Sequence, residues 1–155
     1  MTLTTETVIT GISNLSITLR STKTLTILTD SKIPESAQGL GGVMYPNPDK
    51  FITDMNITNV TYGTNGAEKI DISYSLHYVF CDFPVGSNRS LGANFDVLLA
   101  DTLAILNSVA INDTLGGASD FRLGELEGFG KISDPVGNAF FGAMFKFDVQ
   151  QFFEV

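Results

Sequence analysis

The sequence predicts an α+β protein: a mostly antiparallel β-sheet built from two hairpins, with two packed α-helices, in a single layered domain spanning residues 1–155. Three observations predict it. Residues 70–80 alternate strictly between apolar and polar side chains, the period-two signature of a strand with one buried face. Residues 93–110 carry apolar side chains at helical spacing. Eight of the twelve phenylalanines fall in 121–155, around a Pro- and Gly-containing reversal.

In chain order, Val8, Ile12, Leu15 and Leu19 recur at the spacing of a helical face, with Thr4 and Thr5 as cap candidates and Glu6 in the first turn. This predicts a first helix. Its end stays open, because Gly11 weakens it and Leu15, Ile17 and Leu19 also alternate like a strand. Residues 24–28 read as a short strand. Thr29 to Lys50 is rich in Pro, Gly and small polar residues, with a possible short strand at Val43–Tyr45. A loop of that length inside a small domain is usually functional or mobile.

Phe51–Tyr62 has strand character, and Asn65-Gly66 before the alternating run marks a reversal, which predicts a long antiparallel hairpin. After a turn at Pro84–Leu91, the stripe Phe95, Leu98, Leu99, Leu103, Leu106 and Val109 or Ala110 predicts a second helix packed on the sheet. Phe121–Ile132 and Ala139–Val149 flank Asp134-Pro135-Val136-Gly137-Asn138, a natural second hairpin. Its last strand places Phe141, Ala143, Phe145, Phe147 and Val149 on one face.

Composition narrows the function. Nine basic and seventeen acidic residues give a net charge of −8, which opposes attraction to nucleic acid or to an anionic membrane. The acids concentrate late, with eight acids and three bases in 101–155. Charged residues are only 17% against 43% hydrophobic, so apolar surface is left over for contacts between subunits. The most apolar stretch, Val97 to Ala110, is interrupted by Asp101, Thr102, Asn107 and Ser108, so no membrane span is expected, and the Thr-rich opening, with Arg20 as its first base, gives no expectation of an export signal. Cys81 is the one cysteine, which suits a reducing cytosol. The Asn-x-Ser/Thr triplets are as frequent as the abundant Ser and Thr make by chance.

Catalytic constellations are weak. His77 and Cys81 lie four residues apart on one strand, about 13 Å, too far to share a metal or a proton. Asp113, Asp120, Glu125 and Glu127 form the one dense acidic group, but nothing in their spacing makes two carboxylates face one cleft. They read as solvated acids or, in a channel protein, as acids facing the channel. Gly124–Lys131 lacks the Ser or Thr that a phosphate loop needs, and Gly39–Gly42 precedes no helix. No nucleophile elbow is present. No enzyme activity, cofactor or metal is expected.

The order of several segments is informative: IPESAQ at 33–38, MYPNPDKF at 44–51, SYSLHYVF at 73–80, PVGSNR at 84–89, SDPVGNAFFG at 133–142 and a terminal FFEV. Together they resemble the tail terminator, or tail completion, proteins of long-tailed siphophages over nearly the whole chain. The resemblance implies a virion neck protein assembled in the host cytoplasm. Such a protein forms a ring, typically a hexamer, that caps the head-proximal end of the tail tube, stops its growth and docks to the head connector while DNA passes through. Ile33, Met44, Tyr45, Arg89, Phe152 and Phe153 are the interface candidates. Other neck proteins, such as head-completion or connector subunits, and a monomeric α+β domain with an apolar ligand pocket are the competing readings.

Overall fold

The computed structural model describes residues 5–20, 24–29, 42–85, 91–112 and 120–154. Among them are two helices, α1 (Thr5–Ser13) and α2 (Leu91–Ala110), and one six-stranded sheet. Its strands are β1 (Thr26–Ile27), β2 (Val43–Pro46), β3 (Ile52–Gly63), β4 (Gly66–Pro84), β5 (Asp120–Ser133) and β6 (Ala139–Glu154). The fold is therefore α+β and dominated by a mostly antiparallel sheet, as the alternating runs predict.

The long strand β4 organises everything else. One edge pairs with β6 from Lys69 to Pro84, and β6 in turn pairs with β5. The other edge is shared: β3 covers Gly66–Leu76, and β2 covers Tyr78–Cys81 and carries the short parallel β1 beyond it. His77 sits at the changeover. Its N–H donates to the carbonyl of Phe51 and its carbonyl accepts from Asn47 N–H, both at 2.9 Å. The loop between β2 and β3 is thereby tied to β4.

The alternation read from 70–80 has a direct structural meaning. Tyr74, Leu76, Tyr78 and Phe80 face the helices together with Phe145, Phe147 and Val149 of β6 and Phe121 of β5, and all are buried. Aromatic rings fill this layer, with Tyr78 and Phe147 at 5.7 Å and Phe121 and Phe147 at 5.5 Å between centroids. Val8 and Ile12 of α1 and Leu98, Ile105 and Val109 of α2 close it from above. A second, smaller cluster of Val43, Tyr45, Val79, Cys81 and Phe140 lies on the reverse face at one end. Gly142 lets β6 approach β4 there, since a side chain at that position would strike the carbonyl oxygen of Phe80.

Helix α1 ends at Ser13, whose hydroxyl donates to the carbonyl of Thr10 at 2.8 Å. Beyond it Ile17 and Leu19 are buried while Thr18 and Arg20 are exposed, so the strand-like alternation describes this segment and the helical spacing stops short of it. The strand expected at 24–28 is reduced to Thr26–Ile27, with one bridge between Thr18 and Thr24.

The second helix departs from expectation in orientation. Leu98, Ile105 and Val109 turn inward, but Phe95, Leu99 and Leu103 of the predicted core stripe are 36%, 49% and 54% exposed. Asn94, Asp101 and Thr102 occupy inward positions instead. Asp101 explains this in part: its carboxylate accepts the backbone N–H of Arg20 at 2.5 Å and anchors the extended segment after α1. By length and composition Gly92–Ala110 is apolar enough to cross a membrane, and in this fold one of its faces is packed on the sheet.

Candidate functional site

The face of the sheet turned away from the helices carries the chemistry. Register places Ser73, Ser75 and His77 of β4 beside Lys146, Asp148 and Gln150 of β6 and Asp120, Arg122 and Glu125 of β5 on that face. An irregularity in β5 between Leu126 and Gly128 brings Glu127 onto it as well. The outcome is a partly buried network at the root of β3. His77, with 4% of its side chain exposed, sets Nδ1 at 2.5 Å from Glu127 Oε1 and Nε2 at 2.6 Å from Thr53 Oγ1. Lys50 Nζ donates to the other carboxylate oxygen at 2.8 Å.

Burial works against ionisation of Glu127, but the hydrogen bonds from Lys50 and His77 outweigh it and hold the carboxyl below its ordinary value. The order hydroxyl, imidazole, carboxylate is that of a nucleophilic relay. Its surroundings oppose acyl transfer. Thr53 Oγ1 also lies 3.4 Å from Asp54 Oδ2, and a carboxylate beside the attacking oxygen repels the oxyanion such a reaction builds. The network reads as a cross-link between four segments: the β2–β3 loop, β3, β4 and β5.

Beside it lies an open groove of about 370 Å³ whose walls include Asp54, Ser75, Asp120, Arg122, Lys146 and Asp148. Both of its cations are paired with carboxylates, and Asp148 accepts from a hydroxyl. Arg122 Nε is 2.6 Å from Asp120 Oδ2, Lys146 Nζ is 3.5 Å from Asp54 Oδ2, and Ser75 Oγ donates to Asp148 Oδ1 at 2.9 Å. Among the described residues no group of three or more His, Cys, Asp or Glu is placed to hold a metal ion.

Two apolar surfaces are left open. Toward its tip the β3–β4 pair forms an arm, with β6 alongside β4 as far as Lys69, on which Met55, Ile57 and Tyr62 are 57%, 67% and 74% exposed. At its base Asp54 adopts a left-handed φ of 56°, where β3 carries an extra residue against β4. The second surface is formed by Phe95, Leu99 and Leu103 on α2 with Leu123, Leu126 and Phe129 on β5, joined where the rings of Phe95 and Phe129 meet at 6.1 Å.

The interface candidates divide accordingly. Phe152 is exposed on the helix-free face, while the side chain of Phe153, together with Ile33, Arg89 and Asp113, lies outside the described residues. Met44 and Tyr45 are buried within the protomer, because β2 is paired on both edges and covered on both faces. They are core residues, not surface ones. Of the acids, Asp120 and Glu125 lie on the helix-free face, Asp120 in its pair with Arg122; Glu127 is consumed by His77 and Lys50. Sequence reading missed the His77–Glu127 contact, which depends on the irregularity in β5, and the outward face of α2. The one available signal was that α2 holds more apolar positions than a single face can bury.

A scan of protein-family models matches none to this chain, and a search of curated proteins finds no similar sequence.

Proposed function

We propose that this chain is a tail terminator subunit: a non-enzymatic virion protein of a long-tailed phage, whose copies form a ring on the head-proximal end of the tail tube. In this reading the β3–β4 and β5–β6 pairs are the two hairpins of the fold. The observation that carries the proposal is the presence of two different unpartnered apolar surfaces, the β3–β4 arm and the α2–β5 surface, on opposite edges of the sheet of a charge-poor protomer. Unlike surfaces on opposite edges mate head to tail, and head-to-tail contacts that close produce rings. The order of sequence segments is what suggests the family, and the α+β class is the one this reading expects.

The remaining features find places in the same assembly. The helix-free face, with Asp120, Glu125 and Asp148 among its acids, is the side we assign to the channel, where negative charge keeps DNA from adhering. The tube protein and the head connector are the partners above and below the ring. A monomeric ligand-binding domain is less well served. The phenylalanines that would line its pocket pack on each other, as Phe145 and Phe147 do at 5.7 Å.

The test is functional. Purified chain added to growing tail tubes is expected to halt elongation and to show, by negative-stain imaging, an added ring at one end. Tubes that keep growing at saturating protein, with none of the chain bound to their ends, overturn the proposal.

A further inference from the structure

We propose that Asn65, at the tip of the β3–β4 arm, is a site of spontaneous deamidation, in which the backbone nitrogen of Gly66 attacks the side-chain amide. The modification is independent of the tail reading, and its test needs the isolated chain alone.

An asparagine is lost through its own backbone when the next residue has no side chain to obstruct the approach and the segment is free to bring nitrogen and amide carbon together. The chain has ten asparagines, and Asn65 is the one followed by glycine. The fold leaves this pair loosely held. Pairing of β4 with β6 begins at Lys69, so among the described residues Gly66, Ala67 and Glu68 have β3 as their one neighbouring strand. On that side the ladder is interrupted between Thr61 and Tyr62, and two pairs lie beyond the interruption, Tyr62 with Ala67 and Gly63 with Gly66. Thr64, Asn65 and Gly66 are exposed. Backbone with so few neighbours opens at little cost.

The turn adds to this freedom. Two-residue hairpin loops favour positive φ at their central residues, but here the positive φ falls on Gly66, at 111°, and on neither Thr64 nor Asn65. Open space surrounds Gly66, with nothing within 4 Å of where a Cβ would stand.

Other asparagines show how an amide is held in place. Asn56 Nδ2 donates to the carbonyl of Asp54 at 3.1 Å, Asn112 Nδ2 to that of Ser108 at 2.6 Å, and Asn138 Nδ2 to Asp134 Oδ2 at 3.1 Å. Asn47 Oδ1 accepts the backbone N–H of Asp49 at 3.0 Å. Among the described residues no such bond holds the Asn65 side chain, which lines an open cleft with Glu68, Lys69 and Glu154.

The Gly66 nitrogen bonds to the Asn65 amide carbon and gives up its proton, while the bond from that carbon to the amide nitrogen breaks and ammonia leaves. Water then opens the cyclic imide at either carbonyl. One product is aspartate. The other is isoaspartate, whose main chain runs through the former side chain and is longer by one carbon. Both place a new carboxylate in the cleft of Glu68 and Glu154, where Lys69 is the one cation, and the longer backbone no longer matches the pairing of Gly63 with Gly66.

The full chain is incubated in mildly acidic and mildly alkaline buffers, and peptide mapping by mass spectrometry follows conversion of amide to acid at every asparagine. Asn65 is expected to convert first, faster in the alkaline buffer, and to yield both aspartate and isoaspartate, which electron-transfer fragmentation tells apart. Its rate in the folded chain is expected to lie within about tenfold of its rate in guanidinium chloride, as befits a tip that opens at little cost. Methyl transfer by an isoaspartyl methyltransferase supplies a second readout, with most of the wild-type signal lost in Asn65→Ser. An Asn65 that outlasts other asparagines, that converts no faster in alkali, or that folding protects beyond the tenfold margin overturns the proposal.

Discussion

His77 shows how one side chain can hold several segments in register. Its backbone ties down the β2–β3 loop, and its ring joins Thr53 of β3 to Glu127 of β5 across the width of the sheet. Removing it leaves a mostly buried carboxylate with Lys50 alone. His77→Ala is therefore expected to cost about 2 kcal/mol, seen as a fall in Tm of roughly 4–8 °C by calorimetry. Glu127 adds a pH dependence of defined sign. Its carboxyl is held below the ordinary value of 4.5, so its contribution is fully present above that pH and is lost as pH falls through the lower folded value. The difference in Tm between wild type and Glu127→Gln should shrink as the pH falls below 4.5. A gap that stays unchanged on acidification well below 4.5 would show that ionisation of this carboxylate contributes nothing to stability. Cys81 is the opposite case, a reactive group made inert. Burial first of all pushes its thiol up to about 12, and its sulfur lies 3.7 Å from the Tyr45 hydroxyl inside the smaller cluster. Iodoacetamide should label it slowly in the native protein and rapidly in urea, by mass spectrometry.

At the scale of elements, local chemistry was legible wherever a single segment decides the outcome. The reversal at 134–138 is one such place. Asp134 accepts the backbone N–H groups of Val136 and Asn138 at 3.1 and 2.7 Å, and Gly137 takes a φ of 92°. Asp134→Ala is expected to cost about 1–2 kcal/mol, measured by urea titration with an unchanged slope. An equal cost for Asp134→Asn would mean that the charge, and not the turn's hydrogen bonding, is what matters. The β4 alternation was equally readable, because a period of two is imposed by the pleat itself. Helix α2 was not. Its periodicity identifies a helix but allows several apolar faces, and the one chosen goes with Asp101 accepting the backbone N–H of Arg20. Met44 and Tyr45 were misplaced for a related reason: a four-residue apolar strand looks the same at a surface as in a core until its neighbours on both edges are known.

The whole molecule is a sheet with unequal coverage. Around Tyr78–Cys81, β4 is buried on both faces; toward Ile70 it runs out into the β3–β4 arm, where Ile57 and Tyr62 are exposed. That imbalance agrees with the composition, since a chain with 17% charged residues has too little polar surface to screen all of its apolar area. By itself the sequence determined the α+β class, the strands, both helices, the reversals and the existence of surplus apolar surface, because these follow from periodicity, turn chemistry and composition, which act over a few residues or over the chain as a whole. Only the tertiary structure decided where that surplus lies, that His77 belongs with Glu127, and that Met44 and Tyr45 are interior. Each of these depends on which strands become neighbours and on a one-residue irregularity that changes the face a side chain occupies, and neither is written in any local pattern.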